Sequence, residues 1–261
     1  MIRAEKFIAA LIVVSFLAST STVWAGGFTG GIGDVFGPRF GADPQHAPRI
    51  PIDPRHRPRA VADAAGWVQH WNQIAIDATG LDHTPVAPGE NRAKYAEQLG
   101  PGRASRAMAI VHLAMFDAVN AIEGEHKYRS YTGVGPAPFG TSMKAAIAQA
   151  VHDTLVALFP SQASSFDEQL VDDLTEIPDG RLKVNGIALG RRTAAAVLAA
   201  RADDGSQRPE PHVGLEFLTS NDPGKWRQDP ISLIPLALGA YWSGVKPFVL
   251  ERADQFRVPP P

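Results

Sequence analysis

No cysteine occurs among the 261 residues. Such a chain has no disulfide staple, no thiolate nucleophile and no sulfur ligand for a metal, so its core must hold by packing alone. Charge of one sign is also missing: 25 Lys and Arg stand against 27 Asp and Glu, a formal net charge of −2. Phosphate binding rests on a basic surplus, so no nucleic-acid partner is expected. The N-terminal apolar run, Phe7-Ile8-Ala9-Ala10-Leu11-Ile12-Val13-Val14, is far shorter than the roughly 20 residues a bilayer span needs. Strand-like alternation between the helical segments and internal repeats are absent as well, which argues against a sheet or a solenoid.

That short run sits behind Arg3 and Lys6 and ahead of Val23-Trp24-Ala25. A basic start, an apolar middle and small residues at the exit describe a secretory signal peptide. Cleavage is expected after Ala25, leaving an exported chain, periplasmic or secreted, with no stable membrane span. Residues 26–60 follow as a flexible leader, with Arg39, Arg49, Arg55, Arg57 and Arg59 scattered among Pro38, Pro44, Pro48, Pro51, Pro54 and Pro58. Proline at that density prevents a helix interior. Gly31-Ile32-Gly33 with Gly37 does not make a dinucleotide fingerprint, because no strand precedes it, no helix follows and the spacing differs. His46 and His56 lie in the same leader without neighbouring ligands for a closed metal site.

Between residues 61 and 205 the pattern turns helical. Ala64, Val68, Trp71, Ala75 and Ala78 step by three and four, predicting a helix that stops before Gly80. Ala104, Met108, Val111, Met115, Ala118 and Ile122 predict a second, ended by Gly124, and Ile147, Val151, Leu155 and Leu158 a third, stopped by Pro160. Ser161 is positioned to cap a fourth, with apolar face Phe166, Leu170 and Leu174. After a Pro178-Asp179-Gly180 turn, a fifth helix from about Arg181 carries Val184, Ile187, Ala188, Ala195 and Leu198 and ends at Asp203-Asp204-Gly205. Small residues such as Ala194-Ala195-Ala196 and Ala199-Ala200 would let neighbours approach. Five amphipathic segments joined by short turns imply an all-α fold, an antiparallel helical bundle between the Pro-rich leader and a Pro-rich, aromatic, irregular C-terminal tail over 206–261. The tail aromatics Trp226, Tyr241, Trp242 and Phe248 are expected to find burial.

Several polar residues interrupt these apolar faces. His112, Asp117 and Asn120 read as buried or half-buried groups bonded to their neighbours, and His152, beside Val151, as a satisfied core-edge residue. Asp172-Asp173 and Arg191-Arg192 read as solvated stripes, and Asp203-Asp204 as a turn device.

The run Ser105-Arg106-Ala107-Met108-Ala109-Ile110-Val111-His112, continuing through Asp117-Ala118-Val119-Asn120-Ala121, is joined by three further segments. These are Leu158-Phe159-Pro160-Ser161-Gln162, Asp203-Asp204-Gly205 and Trp242-Ser243-Gly244-Val245-Lys246-Pro247-Phe248 with Gln255-Phe256-Arg257. In that order they resemble the N-terminal half of bacterial vanadium-dependent haloperoxidase-like proteins, of the type-2 phosphatidic acid phosphatase superfamily. The resemblance implies an all-α fold of two bundles, the second binding vanadate or phosphate through K-x6-R-P, P-S-G-H and S-R-x5-H-x3-D. Lys and Arg neutralise such an oxyanion, Ser and backbone N–H groups donate to it, and imidazoles supply nucleophile and acid/base roles.

Two of these motifs are missing here. No Lys has an Arg seven positions later, Lys246 coming nearest with Arg252 six on, and none of the eight His follows a Gly. The third has a near double in Ser105-Arg106 and His112, with Asp117 one position late. Six residues apart on a helix, Arg106 and His112 stand about 120° from each other, so they are only weak candidates for an anion contact. The expectation is an N-terminal helical domain without catalytic residues, metal ligands or cofactor of its own, vanadate belonging to the complete family. It would associate with a separate catalytic half or with itself, or else serve as a non-catalytic periplasmic binding or scaffold module.

Overall fold

The computed structural model describes residues 64–84, 96–124, 128–231 and 233–259. The expected signal peptide, the Pro-rich leader, His46, His56 and the Gly31–Gly37 segment lie outside the described residues. What is described is all-α: α1 (Ala64–Asp82), α2 (Pro101–Glu123), α3 (Met143–Leu158), α4 (Ala163–Thr175) and α5 (Arg181–Ala200). Two 3₁₀ turns, Pro160–Gln162 and Trp242–Gly244, complete the regular structure, and two isolated β-bridges near His212 form no strand. Two compact units divide at Ala200/Arg201, the five helices in the first and the irregular tail in the second.

Helix α3 is the hub of the first unit, packing on each of the other four. Ala145 through Val151 are buried without interruption. Four of those seven are alanines, small enough for neighbours to crowd every side of the helix. It starts at Ser142, whose Oγ accepts from Ala145 N at 3.3 Å, and Pro160 denies it continuation. Helix α2 begins with Pro101 in its first turn, where a missing N–H costs nothing, and ends at Gly124 with φ 97°. Its buried face is wide, running through Ala104, Ala107, Ile110, Val111, Ala114, Met115 and Ala118, which suits an element packed against α1, α3 and α5.

The closest contact is between α3 and α5, and it overturns the expected face of α5. Val184, Ala188 and Ala195 are exposed, while Gly186, Leu189, Gly190, Thr193, Ala194 and Val197 are buried. The seam is built from missing side chains. A Cβ at Gly186 would lie 2.4 Å from Ser142 O, and one at Gly190 2.6 Å from Ala146 O. Each glycine costs about 1 kcal/mol of helix propensity relative to alanine, offset by the backbone approach it permits. Of the Ala194–Ala196 and Ala199-Ala200 runs, only Ala194 is buried.

Three boundary expectations also change. Helix α1 runs through Gly80 to Asp82, its last turn tied by Thr84 Oγ1 donating to Gly80 O at 2.9 Å. Ser161 does not cap α4, because it sits inside the 3₁₀ turn and gives its N–H and hydroxyl to the Glu97 carboxylate. Helix α5 stops at Ala200, so Gly205, at φ 88°, is not its cap. A Cβ there would meet Gly244 O at 3.3 Å, so this glycine admits a close backbone approach within the tail.

Candidate functional site

Helix ends and loops place the buried polar side chains, and each cluster has an identifiable structural use. At the end of α1, Asp82 is fully buried and accepts from Glu97 N at 2.7 Å and Gln98 N at 2.8 Å. Gln98 Nε2 in turn donates to Leu158 O, and Gln162 Nε2 to Ala78 O, both at 2.9 Å. His83 Nε2 accepts from Gly100 N at 3.1 Å while Nδ1 bonds Thr79 O at 2.8 Å, the pattern of a neutral ring protonated on Nδ1. The segment Leu158 to Gln162 therefore acts as a knot joining α1, the 96–100 segment and the start of α4.

Asp117 on α2 is fully buried and accepts from Tyr131 N at 2.7 Å, Thr132 N at 2.9 Å and Thr132 Oγ1 at 2.6 Å. One turn on, Asn120 Nδ2 donates to Tyr128 O at 3.0 Å. These two residues hold the 128–132 segment against α2 and satisfy its backbone, as expected of buried polar groups. Both carboxylate oxygens of Asp117 are occupied by this loop.

Arg106 and His112, the two weak anion-contact candidates, share helix α2 and keep the angular separation of about 120° that six residues impose. Both are half-buried. His112 Nε2 donates to Asn72 Oδ1 on α1 at 2.9 Å, and burial lowers its pKa, favouring the neutral ring. A neutral imidazole whose N–H is already bonded contributes no positive charge to an oxyanion. The group implied by the resemblance, vanadate or phosphate, does not fit this pair. Among the described residues no set of three or more His, Asp or Glu side chains is arranged to hold a metal ion.

Three arrangements escaped sequence reasoning. His70 is buried on α1 and pairs through Nε2 with Asp173 Oδ2 on α4 at 3.0 Å, so Asp173 is no solvated stripe, although Asp172 is exposed. Arg191 and Arg192 are exposed as expected. His152, buried as expected on α3, has carboxylates on both ring nitrogens, Asp153 Oδ1 and Asp167 Oδ1, each at 2.8 Å. Burial by itself would lower its pKa, but the two carboxylates together outweigh that desolvation and raise it. The geometry supports the upward direction, since two acceptor-only partners demand two donors.

The third lies in the tail. Arg201, 1% exposed, bonds Asp204 Oδ2 through Nε at 3.0 Å and Nη2 at 2.8 Å. It also donates to Pro247 O at 3.1 Å and to Lys246 O, with the Phe248 ring 4.0 Å from its guanidinium carbon. Asp204 Oδ1 accepts from Ser206 N at 3.0 Å. Asp204 is thus half of a buried ion pair, whereas Asp203 is exposed, as a turn residue would be. An Arg-x-x-Asp spacing after a helix was the available signal, but it marks exposed pairs far more often than buried ones. The tail aromatics are less buried than expected: Tyr241, with Arg208 3.2 Å from its ring centre, Trp242 and Phe248 are half-buried, and Trp226, set edge-on to Phe217, is 42% exposed.

The fold and its polar clusters define an all-α protein whose described buried polar groups fasten loops and helix ends. Compared with known proteins, the chain matches no family model, no curated protein and no solved structure.

Proposed function

We propose that this chain is the helical N-terminal domain of an exported haloperoxidase-like or acid-phosphatase-like protein, and that turnover requires a second helical bundle bearing K-x6-R-P and P-S-G-H. Peroxide-dependent halide oxidation and phosphate ester hydrolysis both need several cationic and imidazole groups converging on one oxyanion. The ordered succession of four resembling segments supports the family assignment. One structural observation carries the domain reading. The tail follows a path fixed by Arg201, yet several of its large apolar side chains are exposed, Leu215 at 82% and Val249 at 87%, with Phe256 and Val258 similarly bare. That many exposed apolar side chains within one segment favour a covering partner.

The test is co-expression with the polypeptide encoded immediately downstream, followed by co-purification and assay. Association with a chain carrying both missing motifs, together with bromide oxidation or phosphate monoester hydrolysis by the pair alone, is the expected result. Turnover by the mature chain by itself, abolished in His112→Ala, refutes the proposal. A strictly monomeric, inactive chain beside an unrelated gene favours the alternative, a non-catalytic periplasmic binding or scaffold module. That reading draws on the structural use found for Asp82, Asp117 and Asp204.

A further inference from the structure

Helix α4 is attached differently from the rest of the first unit. It is 13 residues long, has no side-chain N-cap, and buries only Phe166 and Leu170. Its charged residues are all acidic: Asp167, Glu168, Asp172 and Asp173. Two of those carboxylates reach histidines on neighbouring helices, Asp167 to His152 on α3 and Asp173 to His70 on α1. We propose that α4 is a pH-controlled cover, latched to α3 by the charged ring of His152 and loosened as pH rises.

The latch follows from donor counting. Carboxylate oxygens only accept, and His152 has one at 2.8 Å from each ring nitrogen. An imidazolium donates to both. A neutral ring donates to one and turns a lone pair toward the other, so loss of the proton converts one attraction into a repulsion. Asp153 is held in place by Gln149 Nε2 at 2.7 Å and sits on the same helix as His152, so the freer partner is Asp167. The charges acting on the ring are Asp153 from α3 and Asp167 from α4, and among the described residues α1, α2 and α5 add none. On the α1 side, His70 faces Asp173 and the edges of Trp67 and Trp71.

The two carboxylates on the ring set the direction of the response, and the raised folded pKa of His152 agrees with it. A raised histidine pKa contributes stability fully present below the unfolded value of about 6.5 and lost as pH climbs through the folded value. Loosening leaves Phe166 and Leu170 less protected. A reporter lies close by, since the indole N–H of fully buried Trp71 has no hydrogen-bond partner among the described residues and its ring is 5.8 Å from that of His70.

Hydrogen exchange on the intact chain, corrected for intrinsic rates and followed from about pH 5.5 to 8.5, tests the cover. Protection of α4 amides is expected to fall about two-fold to five-fold relative to α2, a modest change because Asp167 is 65% exposed and water screens that arm. Asp167→Asn, at this exposed position, should fold normally and show the loosened α4 at every pH. A flat α4 profile, an equal loss in α2, or an unchanged pH response in Asp167→Asn would overturn the proposal.

Discussion

Replacing Gly190 by alanine is the sharpest test of how the bundle is held, because helix propensity and packing pull in opposite directions. Alanine in a helix interior gains about 1 kcal/mol over glycine. At Gly190, however, the new Cβ would sit 2.6 Å from Ala146 O, 2.7 Å from Gln149 Cβ and 2.8 Å from Ala150 N. Two of these three atoms are α3 backbone and cannot swing aside, so relief requires moving α5 away. A gap of half an ångström to one ångström forfeits a quarter to a half of each dispersion contact along the Leu189, Thr193 and Val197 face. Overpacking of this kind costs about 3 kcal/mol at the upper end of its usual range, which leaves a net loss of about 2 kcal/mol. For a chain of this size that lowers the melting midpoint by about 4–8 °C. Gly80 is the control: it lies in α1 with nothing among the described residues within 4 Å of its would-be Cβ, so Gly80→Ala should gain about 0.5–1 kcal/mol. Far-UV circular dichroism reads both variants, since all five helices belong to the first unit. A Gly190→Ala protein at least as stable as the parent would refute the seam.

Asp117→Ala strands two backbone N–H groups and the Thr132 hydroxyl, and should cost about 2–4 kcal/mol by urea denaturation, with the 128–132 segment becoming the first site of protease cleavage. Arg201→Met leaves the Asp204 carboxylate buried without its counter-charge, a loss of about 3–5 kcal/mol confined to the tail, visible as rapid proteolysis after residue 200 while the helical signal persists. Acid should act through His112. Its lowered folded pKa means that stability is fully present above about pH 6.5 and declines as pH falls through that value toward the folded one, so His112→Gln should flatten the acid-side slope of the urea midpoint.

The helices themselves were legible because periodic apolar residues report a face whatever the neighbours are. Val111, Met115 and Ala118 on α2 and Val151 and Leu155 on α3 lie in the core where their spacing puts them. The face of α5 was not legible, since a glycine seam carries no hydrophobic signal and the exposed Val184 and Ala188 imitate one. Gly80 misled for the opposite reason: its propensity cost is small beside the polar anchoring that follows it at Asp82. Ser161 has the chemistry of a cap, but Glu97, 64 residues earlier, competes for its hydroxyl, and sequence spacing says nothing about partners so remote. Asp117 and Asn120 were readable as satisfied polar groups, whereas the choice of Tyr131, Thr132 and Tyr128 as their partners depends on the path of the following segment. Arg201 was invisible for a general reason, because arginine is almost never wholly enclosed and only the completed tail supplies its acceptors.

The Arg201 guanidinium reaches carbonyls 45 and 46 positions further along the chain, so it closes a large ring without any covalent bond. Unlike a covalent cross-link, this ring closes only on folding, and its native contacts must offset a loop-closure entropy that grows only slowly with its length. A sulfur bridge in the same place would open and shut with the thiol potential of its surroundings. This closure answers to desolvation and charge instead, so reductant leaves it shut while a substitution that removes the carboxylate opposite it springs the ring apart.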